Sequence, residues 1–413
     1  MSAASRLLVW SPVPPQKTGT ADYAALLLAD LVPHVPPERL LVVCDHEAQA
    51  EAPAAEIAGF RVVDHRDREA QARPEDVSLL CQANNAFHAY LLPRLARVEG
   101  RRTLTLLHDP QIFMLLATVC KAGGFGLSPA DMPQLLRPQF GPLAAEIAGR
   151  WADRRLPEII RFTALGQLGA LQHSDHILVH SHYAALKLRL ETRRDWPLPA
   201  IHVVAPPSEP DDESACGDLR QDQRFTVGVF GWIAPAKRPL AIVSAFAAFA
   251  RALPAEQRRQ VHLRFVGELS SARYDPTAFA RAEGIAEQVS LSGYLSAADF
   301  RREMGRVSLV LNLRYPSCGE TSGTLLQAQG YGRPVAVSAY QAFFEEAADW
   351  HVSIDPRREQ ADIVRVLRQS HRAWLEGRVA RPPAGADSWR SRRPRHDMVG
   401  LLRRLAPECL TQP

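Results

Sequence analysis

The chain has 413 residues, enough at roughly 100–200 per domain for two domains that each bury a core of their own. Hydrophobic residues make up 46% and charged residues 23%, which excludes a disordered, collagen-like or low-complexity polymer. The 49 Lys and Arg against 45 Asp and Glu leave a formal net charge of +4, too small an excess for a nucleic-acid footprint, while acidic small molecules stay open as ligands.

Short β-rich apolar runs alternate with helical patterns, the signature of βαβ units around a parallel sheet. In a first series the predicted strands are Leu7–Trp10, Leu40–Cys44, Val77–Cys81, Thr103–Leu107, His176–His180 and Ile201–Ala205. Helices are expected between them at Ala21–Leu31, Ala86–Val98 and Tyr183–Glu191, with a helical insertion over 111–170. A second series has strands at Phe225–Phe230, Val261–Val266, Val289–Ser292, Val307–Leu313 and Pro334–Val337, and helices near Pro239–Leu253, Pro276–Glu283, Ala297–Met304 and Thr324–Tyr331. Residues 206–222 are rich in Pro, Asp and Glu and read as the linker. The expected domains are therefore 1–205 and 223–375, doubly wound and facing across a cleft, followed by an Arg-rich segment, 376–413, that ends in a helix.

The six cysteines are scattered, with no CxxC pair and no spacing for a zinc site or a disulfide framework, so reduced and mostly buried thiols are expected. The N-terminal apolar run is too short for a signal-peptide core, and no stretch of eighteen apolar residues occurs. A cytoplasmic protein is the expectation.

In open parallel sheets ligands bind beyond the carboxyl ends of the strands, so the strand-to-helix loops carry the interest. After the first strand, SPVPPQKTGTADY places Gly19 where backbone approaches a ligand and Thr20 where it would cap a helix. After the third, QANNAFH sets Asn84, Asn85 and His88 at the same edge; a cap or a surface position is the plainer reading of the histidine. After the fourth, LLHDP delivers His108 and Asp109, groups suited to hydrogen-bonding a hydroxyl or assisting proton transfer, with capping as the plainer role of Asp109. In the second series, VFGWIAPAKRP places Gly231 at a strand exit and Lys237 with Arg238 before a helix, either a diphosphate clamp or a solvated basic loop. LNLRYPSCGETSGTLLQAQ then runs from Arg314 into Gly319, Glu320, Thr321, Ser322, Gly323 and Thr324, a nest of N–H donors and hydroxyls opening a helix.

Taken in order from about Trp10 to about Asp355, these segments, with ILVHSHYAALKL, LSGYLSAADF and GYGRPV, resemble the landmarks of family 4 (group 1) retaining glycosyltransferases with the GT-B fold. The resemblance implies two Rossmann-like domains, an NDP-sugar donor held mainly by the second, an acceptor held mainly by the first, and no obligatory metal or other cofactor. By the same resemblance Lys237 neutralises the donor diphosphate, Glu320 to Thr324 contact donor sugar and phosphate, Gly19 lies beneath the phosphates, and His108 touches the donor sugar near its reacting carbon. Asn84, Asn85, His88 and Asp109 fall on the acceptor side. Two departures stand out. Gly231-Trp232 replaces the family's usual Gly-Arg, so Arg238 or Arg314 has to supply the second cation. The usual Glu-x7-Glu positions fall on Gly319 and Gln327, with Glu320 shifted by one, so the chain resembles a GETSG-bearing subgroup and leaves the ribose contact open, the Gln327 amide being one candidate for it.

The expected partners are thus a nucleotide-sugar donor and a glycan or lipid-linked acceptor, with no nucleic acid, and the expected setting is bacterial surface polysaccharide synthesis. A GT-B-shaped nucleotide-sugar epimerase and a catalytically silent sugar-nucleotide binding protein are the alternatives. Arg137, Arg150, Arg154, Arg155 and Arg161 lie beside apolar helical faces in the insertion; ordinary solvated faces are the plain reading, and peripheral contact with an anionic membrane is the functional one.

Overall fold

The computed structural model describes residues 5–48, 52–95, 102–166, 171–207, 224–346, 348–378 and 396–411. The chain divides into two compact units. Unit 1 comprises Met1–Pro207, Cys318–Thr321 and Pro394–Pro413; unit 2 comprises Ser208–Ser317 and Ser322–Arg393. Cys216, most of the expected linker and most of the Arg-rich segment lie outside the described residues.

Unit 1 is built on an eight-stranded sheet in the order β3-β4-β2-β1-β5-β6-β7-β8. The strands are β1 (Leu7–Trp10), β2 (Leu40–Cys44), β3 (Glu56–Ile57), β4 (Phe60–Asp64), β5 (Val77–Gln82), β6 (Arg102–Leu107), β7 (His176–Val179) and β8 (Ala200–Val203). All neighbours are parallel except the β3–β4 pair. Central strands such as LLVW and LLVVC are apolar at every position because both faces are covered. Alternation then divides them: Leu7, Val9 and Val42 enter one core with helix α1 (Gly19–Leu31), and Leu8, Trp10 and Val43 enter another with helix α2 (His182–Glu191).

Unit 2 has a six-stranded, wholly parallel sheet in the order β11-β10-β9-β12-β13-β14. Its strands are β9 (Phe225–Phe230), β10 (Val261–Val266), β11 (Val289–Leu291), β12 (Leu309–Asn312), β13 (Val335–Ser338) and β14 (Trp350–Val352). Helices α3 (Pro239–Arg251) and α5 (Pro356–Leu375) bury Phe246, Phe249, Ile363 and Leu367 on one face of the sheet; α4 (Gly323–Gly330) buries Leu325 on the other. The last helix, α6 (Met398–Leu405), belongs to unit 1, where Met398, Leu401 and Leu402 join the core of Leu7 and Leu27.

Three expectations need correction. Strands β3, β4 and β14 are absent from the sequence reading because they are short or, in FRVVD, interrupted by an exposed arginine. Among the described residues the helix expected over Ala86–Val98 is a 3-10 run, Ala86–Leu91, followed by α-helix over Leu92–Leu95; residues 96–98 lie outside them. Pro93 has no N–H to return to Ala89, which removes one bond that a continuous α-helix would make there. The second domain is also not one continuous stretch, since Cys318–Thr321 cluster with unit 1.

Both sheets reverse their strand order once, between β1 and β5 in unit 1 and between β9 and β12 in unit 2. The loops leaving those strands are where a doubly wound sheet binds ligands.

The docking of α6 is directly testable. Leu402 is 1% exposed, and Leu402→Ala should destabilise unit 1 by about 2–5 kcal/mol in urea unfolding. An unchanged midpoint would show that α6 does not share that core.

Candidate functional site

At the switch point of unit 2, β9 ends at Phe230 and the chain turns through Gly231 with φ +84°. A Cβ there would stand 3.1 Å from the Lys237 ammonium nitrogen and 3.4 Å from Thr324 Cγ2, so the glycine is what lets the lysine lie across the strand exit. Lys237 is buried, and its Nζ donates to the Phe230 carbonyl. Thr324 sits in the first turn of α4, which Ser322 caps by accepting the Leu325 N–H at 3.4 Å. The hydroxyls of Ser322 and Thr324 both donate to Asn312 Oδ1, at 3.3 and 3.1 Å, which pins the loop to the end of β12. A Cβ on Gly323 would meet nothing within 4 Å. A fixed ammonium and the positive end of a helix thus converge on one spot, as an anion site requires.

The expected basic pair does not survive as a pair. Arg238 takes a left-handed conformation, φ 60°, and gives its guanidinium to buried Glu359 at the start of α5 through two bonds of 2.7 and 2.6 Å. It anchors a helix, and Glu359 raises its pKa. Of the two candidates for a second cation, Arg314 is therefore the better placed, at the exit of β12, where its N–H donates to Ser338 Oγ at 2.9 Å. Gln327 lies half-buried in the second turn of α4.

Cys318–Thr321 pack within unit 1. Gly319 has φ +86°, and a Cβ on it would fall 2.7 Å from Pro110 Cγ and 3.1 Å from Tyr183 Cε1. Asn84 Nδ2 donates to Cys318 Sγ at 3.6 Å, and burial pushes that thiol up to about 12. Glu320 Oε2 accepts the Cys318 N–H at 2.8 Å, so the carboxylate braces its own turn and Ser322, not Glu320, caps α4. Thr321 Oγ1 is buried with no hydrogen-bond partner among the described residues. Asp109 is not a helix cap: its Oδ2 accepts the Asn84 N–H at 2.7 Å, joining the exits of β6 and β5. Asn84 Oδ1 accepts from the Leu115 N–H at 3.0 Å, and Asn85 caps the 3-10 run through the Phe87 N–H at 3.1 Å.

At the switch point of unit 1, α1 begins at Gly19, over which a Cβ would again meet nothing within 4 Å. Thr18, not Thr20, is its N-cap. Thr20 Oγ1 instead lies 3.0 Å from His88 Nε2, and His88 Nδ1 lies 2.8 Å from the Cys81 carbonyl oxygen. His88 is thus fully buried with both ring nitrogens engaged, neither a cap nor a surface group, and it braces the first turn of α1 instead of reaching an acceptor. Burial lowers its pKa to about 4. His108 packs edge-on to Tyr23, ring centroids 4.5 Å apart, with His180 beside it at 5.4 Å. Burial lowers the pKa of His180 to about 4, and burial together with the neighbouring imidazoles holds His108 well below the usual histidine range.

Tyr23, His180 and Asn312 were not singled out in the sequence. The signal available was positional: His180 follows β7 directly, and Asn312 closes an otherwise apolar β12.

The insertion folds on itself around Phe113, Leu116, Met132 and Leu136. It leaves a groove of about 1010 Å³ lined by Phe113, Met114 and Trp151, with Lys121, Arg154 and Arg161 among its basic residues. Arg150 is paired with Glu146 at 2.6 Å. Among the described residues no helix is long and apolar enough to cross a membrane.

No family model matches this chain, and no curated protein does. Solved structures do. Anabaena HepE in complex with UDP aligns with a TM-score of 0.56 at 16% identity, covering 98% of each chain. WaaG, a glycosyltransferase involved in lipopolysaccharide biosynthesis, aligns at 0.51 and 15%, covering 92% of this chain and 99% of its own. The apo structure of OtsA aligns at 0.62 and 12%, covering 97% and 99%. The likeness is one of fold: the chain has the GT-B architecture, with two Rossmann-like α/β units.

The buried imidazoles make stability depend on pH. For His88 and His180 the folded value of about 4 lies below the ordinary 6.5, so the unfolded chain binds more protons between those limits. Their contribution is whole above pH 6.5 and is lost as pH falls toward 4, with a slope approaching about 1.4 kcal/mol per pH unit for each ring. Urea unfolding of the protein and of His88→Gln across that window should show a shallower slope in the variant; identical slopes would contradict a neutral, buried His88.

Proposed function

We propose that this chain is a retaining glycosyltransferase of the family 4 type with a GETSG turn, moving a sugar from a nucleotide diphosphate to a hydroxyl of a glycan or lipid-linked acceptor. The observation that carries the reading is the convergence of Lys237 Nζ, Gly231 and the first turn of α4 at the unit 2 switch point. A diphosphate gains negative charge as the sugar departs, so a fixed ammonium and aligned N–H groups stabilise the late charge more than the ground state. These groups supply positive charge without an obligatory metal. Unit 2 then holds the donor, and unit 1, with Asn84, Asn85 and Asp109 near the His108 strand exit, faces the acceptor.

The comparisons support a uridine nucleotide as the first ligand to try, because HepE has been solved with UDP, with UDP and glucose, and with UDP-glucose. WaaG supports a role in the assembly of surface polysaccharide. The basic residues at the insertion groove suit an acceptor whose head is anionic, such as a lipid-linked diphosphate at a membrane surface.

Thermal unfolding against UDP, GDP, ADP and their sugars should reveal the nucleotide, since a ligand at 100 times its Kd adds about 2.7 kcal/mol of stability. With that donor, Lys237→Ala should lower kcat by about 10²–10³ and weaken nucleotide binding much less. Product carrying the sugar on an added acceptor separates transfer from epimerisation and from silent binding. An unchanged kcat in Lys237→Ala would remove the phosphate site from unit 2.

A further inference from the structure

His180 has no role in the reading above, yet its contacts determine what His108 offers a ligand. The His180 Nδ1 lies 2.9 Å from the carbonyl oxygen of Val204. A carbonyl only accepts, so that nitrogen carries the ring's hydrogen. His180 is 6% exposed, and burial beside other imidazoles disfavours a cation, so its ring is neutral and its Nε2 bears a lone pair. The partner of that lone pair is His108 Nδ1, at 3.4 Å. His108 therefore donates from Nδ1. Its Nε2 is left as an acceptor, buried and without a hydrogen-bond partner among the described residues.

We propose that His180 is a positioning residue that locks His108 in the Nδ1–H tautomer, so that His108 Nε2 accepts a hydrogen bond from a ligand hydroxyl. A second chain runs beside it with the same logic. The Cys81 carbonyl accepts from His88 Nδ1, so His88 Nε2 accepts from the Thr20 hydroxyl, which in turn accepts from Thr18 at 3.2 Å. The two relays have opposite use. The His88 relay ends inside the protein and fixes the start of α1, whereas the His108 relay ends on an unfilled lone pair.

The assignment sorts ligands by chemistry. A bare imidazole nitrogen repels a phosphate or carboxylate oxygen, which has no hydrogen to give, and accepts from an alcohol. A sugar hydroxyl is the class of group that fits. The inference rests on the reading of the chain as a sugar-nucleotide enzyme only for the identity of that hydroxyl; the tautomer follows from Val204, His180 and His108 alone.

Long-range ¹H–¹⁵N correlation spectra of the full chain without ligand test it, with His108 assigned by comparison with His108→Gln. The expected spectrum has a protonated Nδ1 and a bare Nε2 at His108. His180→Gln, whose amide oxygen still accepts from His108 Nδ1, should keep that pattern, and His180→Leu should convert His108 to the Nε2–H form or a mixture. An Nε2–H tautomer in the parent protein, or an unchanged His108 in His180→Leu, overturns the proposal. On adding UDP-glucose the Nε2 resonance should move, and on adding UDP alone it should not; a shift caused by UDP alone would overturn the assignment to a sugar hydroxyl. Failure of UDP-glucose to bind, measured by calorimetry, would count against the donor and leave the unliganded spectrum as it was.

Discussion

A lysine ammonium held inside the protein, at the end of a strand, is the constraint around which unit 2 is arranged. Charges are rarely buried without partners, and Lys237 is tied to the Phe230 carbonyl. Its seat depends on two glycines. Gly231 removes the Cβ that would press on the ammonium, and Gly267 removes one that would lie 2.2 Å from the Gly231 carbonyl oxygen. The polar turn that follows β12 completes the arrangement, with Asn312 collecting the hydroxyls of Ser322 and Thr324 so that α4 begins beside the lysine.

Unit 1 meets a different requirement. Its switch point gathers three imidazoles that burial keeps uncharged; His88 and His180 spend both nitrogens inside the fold, and His108 Nε2 is the ring atom left over.

What could be read from the sequence follows from where the physics is local. The apolar runs of β1, β2, β9 and β10 are legible because parallel strands covered on both faces have no polar positions to blur them. The short edge strand β14 and strand β4, with its exposed arginine, lack that signal, and Pro93 removes an α-helical bond from the run after Asn85. Among the site residues, Lys237 and the Gly319–Thr324 turn announce themselves by type and place. The fate of Arg238 does not, because its partner Glu359 lies 121 residues away. His180 and Thr20 were equally hidden: each acquires its role from a ring nitrogen that the fold delivers from another strand exit.

The central claim is that the unit 2 switch point is where the nucleotide binds. Amide hydrogen exchange of the full chain, with and without saturating UDP, tests it most directly. The account predicts that slowing concentrates in Gly231–Arg238 and in Ser322–Thr324, and that Lys237→Ala diminishes it. Slowing confined to other segments, or present at full strength in Lys237→Ala, would contradict it.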